Sequence, residues 1–116
     1  MFAVYFTEDA LKDVKALPKG TRNSLRRAIV EVLAADPARH STDLRPPLEQ
    51  FRSFHWRHYR VVFKLYAGRR ILAVVGLGER SPQSPSNIYR RLEALARQGQ
   101  LSDSGLTTLR GFSGKS

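Results

Sequence analysis

Cysteine is absent from this chain of 116 residues. Neither a disulfide framework nor a thiolate metal site can form, which suits a reducing cytoplasm. No apolar run is long enough to cross a bilayer. The opening Met1-Phe2-Ala3-Val4-Tyr5-Phe6 is apolar, but Glu8 and Asp9 follow at once. It lacks the basic segment and the length of a secretory signal. Internal repeats are absent too. Acidic residues are scarce: ten stand against twenty lysines and arginines, for a formal net charge of +10. The expectation is one soluble, cytoplasmic domain with a modest core, and a surface suited to nucleic acid or an acidic partner.

The cations are unevenly placed. From Arg52 to Arg91 the chain carries Arg52, Arg57, Arg60, Lys64, Arg69, Arg70, Arg80, Arg90 and Arg91, with Glu79 as the only acid. Arginine predominates, and its planar fork suits bidentate contact with phosphate or carboxylate.

Phe2 to Phe6 is aromatic and β-branched and predicts a first strand. Thr7 is placed to cap a helix whose first turn holds Glu8 and Asp9. Ala10, Leu11, Val14 and Leu17 repeat at helical spacing, and Pro18-Lys19-Gly20 stops that helix. A second helix, roughly Thr21 to Ala35, has Leu25, Ile29, Val32 and Leu33 as its buried stripe. Ala38 to Gln50, with Pro46-Pro47, predicts an irregular crossover. Strands follow at Phe51 to Trp56, Tyr59 to Tyr66 and Arg70 to Gly78, the last two joined by a turn at Ala67-Gly68-Arg69. Ser81 to Pro85 is a loop, and Ser86 is placed to cap a helix carrying Ile88, Leu92 and Leu95 on one face.

The order is β-α-α-β-β-β-α. It predicts an α+β domain with a helical hairpin on one face of an antiparallel sheet. Val61, Phe63 and Leu65 would face the helices, leaving Arg60 and Lys64 on the opposite, open face.

This order, combined with Phe54-His55-Trp56-Arg57-His58-Tyr59-Arg60-Val61-Val62-Phe63, resembles the RelE/ParE toxin superfamily of bacterial toxin–antitoxin modules. Tyr59 to Phe63 matches the second half of the family's signature segment. Gly78-Glu79-Arg80 and Tyr89 stand where the family has a strand ending in a cation and a tyrosine opening the last helix. Asp36-Pro37 and Leu44 to Leu48 match an upstream feature. The resemblance covers about residues 1–99, with 100–116 as a Gly/Ser/Thr-rich tail. It implies a toxin neutralised by an acidic antitoxin, with which it would form a hetero-oligomer. RelE-like members cleave messenger RNA at the ribosome without metal or cofactor. ParE-like members share the fold, inhibit DNA gyrase and lack the nuclease residues. A degenerate member would only bind an acidic partner.

Metal-free RNA cleavage needs a base for the 2′ proton, an acid for the leaving 5′ oxygen, and cations for the charge on phosphorus. Arg60 and Arg80 occupy the family's two cationic positions, or else pair with Glu79. Tyr89 would stack on a base or help transfer a proton, or else pack into the core. His58 is the candidate for proton transfer, since histidine titrates near neutral pH. Arg57, Lys64, Arg90, Arg91 and His55 are the candidate RNA contacts. Glu79 is either a general base or a neutralising partner for Arg80.

Overall fold

The computed structural model describes residues 1–80 and 87–99. The loop at Ser81 to Pro85, the Ser86 cap and the tail lie outside the described residues. The elements are β1 (Ala3–Phe6), α1 (Glu8–Lys15), α2 (Lys19–Ala28), β2 (Ser41–Asp43), β3 (Arg52–Trp56), β4 (Tyr59–Tyr66), β5 (Ile71–Glu79) and α3 (Ile88–Arg97). No described helix is long and apolar enough to cross a membrane.

Thr7 starts α1 as expected, its hydroxyl accepting the Ala10 amide hydrogen at 3.2 Å. Pro18 acts differently from the sequence expectation. It is the N-cap of α2, so Lys19 and Gly20 open that helix instead of merely ending the one before. The first turn of a helix needs no donor at that point, which makes proline cheap there. α2 runs into a π-helical turn at Ile29–Leu33, closed by the Ala34 amide donating to the Ile29 carbonyl. The wider turn keeps Ile29 and Leu33 fully buried but rotates Val32 out to 39% exposure. Val32 therefore leaves the buried stripe that regular helical spacing assigned it.

The five strands lie in the order β1-β5-β4-β3-β2. β3, β4 and β5 pair antiparallel, as predicted, and β2 pairs with β3 in the same sense, but β1 joins β5 in parallel, from Ala3↔Ile71 to Phe6↔Val74. The sheet is thus mixed. Both helices lie in the connection that follows β1, and a crossover that long permits parallel entry. β2 is an addition to the predicted set. Its three residues are recruited from the crossover by Arg52, whose Nε donates to Ser41 Oγ at 2.7 Å and whose guanidinium donates to the Ala38 and Ser41 carbonyls. Arg52 also forms an ion pair with Asp43.

One face of the sheet buries Phe54, Val61, Phe63, Leu72, Val74 and Leu77 against Phe6, Val14, Leu25, Ile29 and Leu33. The opposite face is not open. Val62 and Val75 pack there under Leu48, Phe51, Ile88 and Leu92, which form a second, smaller core. α3 approaches the backbone closely at Gly76, where an added Cβ would lie 3.1 Å from a Leu92 methyl.

A bulge separates the two halves of β5. Val62 pairs with Gly76 but Phe63 pairs with Val74, so Val75 is an extra residue. Beyond it the alternation inverts. Leu77 joins Leu72 and Val74 on the hairpin side, while Gly76 and Gly78 face α3.

β1 ends opposite Val74, leaving the next stretch of β5 with a free edge. α1 covers it: Asp13 Oδ2 accepts the Leu77 amide hydrogen at 3.0 Å. Arg91 of α3 donates to both Asp13 oxygens, at 2.8 and 2.7 Å, and to the Leu77 carbonyl at 3.3 Å. Asp13→Ala would leave the buried Leu77 N–H unsatisfied and break the tie to α3. Urea unfolding should show a loss of about 1–3 kcal/mol.

Candidate functional site

Short spacing and strand register bring a set of polar side chains together on the α3 face. His55 stands directly across from Arg60 in the β3–β4 ladder, and Ser53 across from Val62. Arg80 follows β5, where its amide continues the ladder by donating to the His58 carbonyl at 3.2 Å. Tyr89 comes from the first turn of α3, where Asn87 caps the helix by accepting the Tyr89 amide hydrogen at 2.8 Å.

Tyr89 is the hinge of the arrangement. Its hydroxyl lies 2.6 Å from Ser53 Oγ, and its ring lies 5.9 Å from the Arg80 guanidinium carbon. This makes it neither a purely core aromatic nor a free one. The ring packs at the edge of the smaller core while its polar end is tied to β3.

Arg60 is 9% exposed, and its guanidinium donates to the Tyr59 and Arg57 carbonyls at 3.0 and 3.4 Å. Among the described residues neither Arg60 nor Arg80 forms an ion pair with a carboxylate. Glu79 neutralises neither. It lies on the other face with Tyr59, its register partner, and pairs with His58 at 3.3 Å.

His55 and His58 consequently lie on opposite faces. His58 occupies the tight β3–β4 turn, 4.3 Å from the Tyr59 ring centroid, and is directed toward Glu79. His55 projects on the face of both arginines. Partial desolvation, followed by repulsion from Arg60 and Arg80, holds its pKa below the ordinary histidine value of 6.5. The neutral imidazole, which can accept a proton, therefore prevails at neutral pH.

The remaining predicted contacts are dispersed. Arg57 takes a left-handed backbone conformation in the turn and lays its guanidinium 4.3 Å from the Trp56 ring. Lys64 shares the face of Arg60 but sits four residues along the strand, about 13 Å away, beyond the covered Val62 and against the Tyr66 ring. Arg90 is exposed on α3. Arg91 is engaged by Asp13, away from the cluster.

A cleft of about 330 Å³ adjoins the cluster. Arg80, Tyr89 and Glu93 line it together with Asp43, Arg45 and Leu48. Sequence reasoning left Asp43, Arg45 and Glu93 out of the site. Only the spacing of Glu93 four residues after Tyr89 signals that the two share a helix face.

Three solved structures share this architecture. A chain of the RelBE2 toxin–antitoxin complex from Mycobacterium tuberculosis superposes with a TM-score of 0.65 at 22% identity, covering 68% of this chain and 98% of that one. The isolated RelE toxin of E. coli gives 0.58 at 24% identity, covering 84% and 99%. A chain of the intact E. coli RelBE toxin–antitoxin complex gives 0.56 at 20% identity, covering 70% and 99%. At these identities the likeness is one of fold. A search of curated proteins finds no match. The family described as "ParE toxin of type II toxin-antitoxin system, parDE" matches residues 4–83. The chain belongs to this family, within the RelE/ParE superfamily of toxins.

The electrostatic account of His55 is open to direct measurement. Its ring should titrate below 6.5 by NMR, and Arg80→Ala should move the midpoint upward toward that value.

Proposed function

We propose that this toxin is a metal-independent endonuclease that cuts messenger RNA at the ribosome. The observation that supports it is the placement of His55, held neutral, beside two arginines that no described carboxylate neutralises. His55 takes the 2′-hydroxyl proton as that oxygen attacks the adjacent phosphorus. The P–O5′ bond breaks, leaving a 2′,3′-cyclic phosphate on one fragment. The imidazolium formed next to two guanidinium groups readily gives its proton to the departing 5′ oxygen, so one residue can serve both transfers. Arg60 and Arg80 stabilise the negative charge that builds on the phosphoryl oxygens. Arg60 is already ordered by the turn carbonyls, so little reorganisation accompanies the reaction. Tyr89 offers a ring on which a neighbouring base stacks. Arg57, Lys64 and Arg90 supply cations around this centre for the phosphate backbones of message and ribosome.

The shared fold of the RelE and RelBE structures is compatible with the nuclease branch, and the complexes with antitoxin support an antitoxin partner, for which the arginines are a fitting surface. The match to the ParE toxin family favours a second reading, in which the same basic face grips DNA gyrase and performs no chemistry.

Arg80→Ala and His55→Ala should each lower messenger RNA cleavage in cells by about 100-fold or more and abolish growth arrest, with antitoxin binding retained. His58→Ala should change cleavage little. A DNA-damage response with intact messenger RNA would overturn the nuclease reading and favour gyrase.

A further inference from the structure

The turn between β3 and β4 holds both arginines of the cluster through its own backbone. The carbonyls of Arg57 and Tyr59 accept from the Arg60 guanidinium at 3.4 and 3.0 Å, and that of His58 accepts the Arg80 amide hydrogen at 3.2 Å. The conformation of the turn sets where these carbonyls aim. Trp56↔Tyr59 is the last pair of the ladder, so the loop consists of Arg57 and His58 alone. Arg57 has a φ of 55°, and His58 does not share the positive sign. That is the sign pattern of a type II′ hairpin turn, whose first central position glycine fills without strain. The Cβ of an arginine disfavours the same conformation. Its side chain supplies what the backbone lacks. The guanidinium carbon lies 4.3 Å from the Trp56 ring centroid, well inside cation–π range. Trp56 in turn packs against the larger core and stacks on Tyr59, with centroids 5.9 Å apart. The platform under Arg57 is therefore fixed.

We propose that Arg57 is a positioning residue for Arg60, acting through its main-chain carbonyl, and that its stack on Trp56 keeps that carbonyl aimed. The placement of Arg60 stands on the turn alone, whereas its effect on cleavage rests on the nuclease reading above. Two like charges repel, so the cation of Arg57 is not what orients the Arg60 guanidinium. The contact runs through the Arg57 backbone. Without the stack, residue 57 relaxes toward a negative φ, which swings its carbonyl away. Arg60, only 9% exposed, then keeps the Tyr59 carbonyl and loses the other acceptor. A guanidinium has five donors, and leaving them unmet in a nearly buried place is costly. It turns out toward water and leaves the point where charge on phosphorus is to be met. The His58 carbonyl belongs to the same two-residue loop, so the anchor of Arg80 is disturbed with it.

The test uses the intact chain and three substitutions. Arg57→Gly removes the stack and the charge but adopts a positive φ unaided. Arg57→Val removes both and resists that conformation. Trp56→Leu removes the ring and keeps an apolar side chain against the larger core, so it serves where Arg57→Val does not fold. Hydrogen exchange of the Arg60 guanidinium protons, followed by NMR, should quicken about fivefold or more in Arg57→Val and Trp56→Leu. It should stay near the parent rate in Arg57→Gly. The His55 midpoint, lowered by desolvation and then by Arg60 and Arg80, should rise toward 6.5 in the first two variants and hold in the glycine one. Unchanged exchange and titration in Trp56→Leu would overturn the assignment. So would an Arg57→Gly chain as perturbed as Trp56→Leu, because charge rather than conformation would then be acting. Messenger RNA cleavage measured alongside separates the two levels. Where the parent cleaves, Trp56→Leu should lower kcat about tenfold or more with KM little changed. Cleavage by the parent with Arg60 protection unmoved in the variants sinks this inference alone. Release of Arg60 in a chain whose parent does not cleave supports the positioning role and sinks the nuclease reading.

Discussion

A strand in the middle of a sheet must hide side chains on both faces, and β4 does so with unequal partners. Val61 and Phe63 meet the large core beneath the helical hairpin, while Val62 meets the small one beneath α3. Its pairing with β5 would carry Arg80 to the hairpin side if alternation ran unbroken from Leu72 and Val74. The extra residue at Val75 inverts the count, so Leu77 enters the large core and Arg80 emerges beside Arg60. The convergence of the two arginines thus depends on one bulge. Everything polar in the cluster inherits its position from that irregularity.

The electrostatics follow from the same geometry. Acids are few, and among the described residues none forms an ion pair with either arginine: Asp43 pairs with Arg52, Asp13 with Arg91, and Glu79 contacts His58. Two of these pairs hold structure that borders the site. Arg52 gathers the crossover into β2, which carries Asp43 into the cleft wall. Asp13 and Arg91 secure α3 on one flank while Tyr89 and Ser53 secure it on the other. The helix that supplies Tyr89 and Glu93 is therefore fixed against rotation from both sides. The uncompensated charge remains at the place where phosphate is proposed to sit.

Much of this was legible in the residues. Tyr59 to Tyr66 declares itself by alternation and matches β4, and Thr7 with its two following acids marks the start of α1. Arg60, Arg80 and Tyr89 stood out in the family pattern; the structure sets Arg80 over the Tyr89 ring and both arginines near His55. What escaped was set by contacts distant in sequence or by irregular backbone. β2 is three polar residues without a period, visible only through Arg52. The parallel entry of β1 depends on a partner strand more than sixty residues away. The π turn displaced Val32. Arg91 looked like a free cation because Asp13 lies 78 residues before it. The two histidines were separable only by register, since Trp56↔Tyr59 closes a tight turn that removes His58 from the ladder and leaves His55 facing Arg60.

The carboxylate of Asp13 on the Leu77 amide has a wider consequence for how the molecule behaves among copies of itself. Exposed strand edges are templates for unwanted pairing, and a long apolar one invites aggregation. Here the outermost strands have only four and three residues, and the free stretch of β5 beside them is occupied by α1. A neighbouring chain finds little backbone to extend. The sheet can therefore carry a dense apolar interior and a strongly cationic exterior at once, with little described strand edge on which copies could pair.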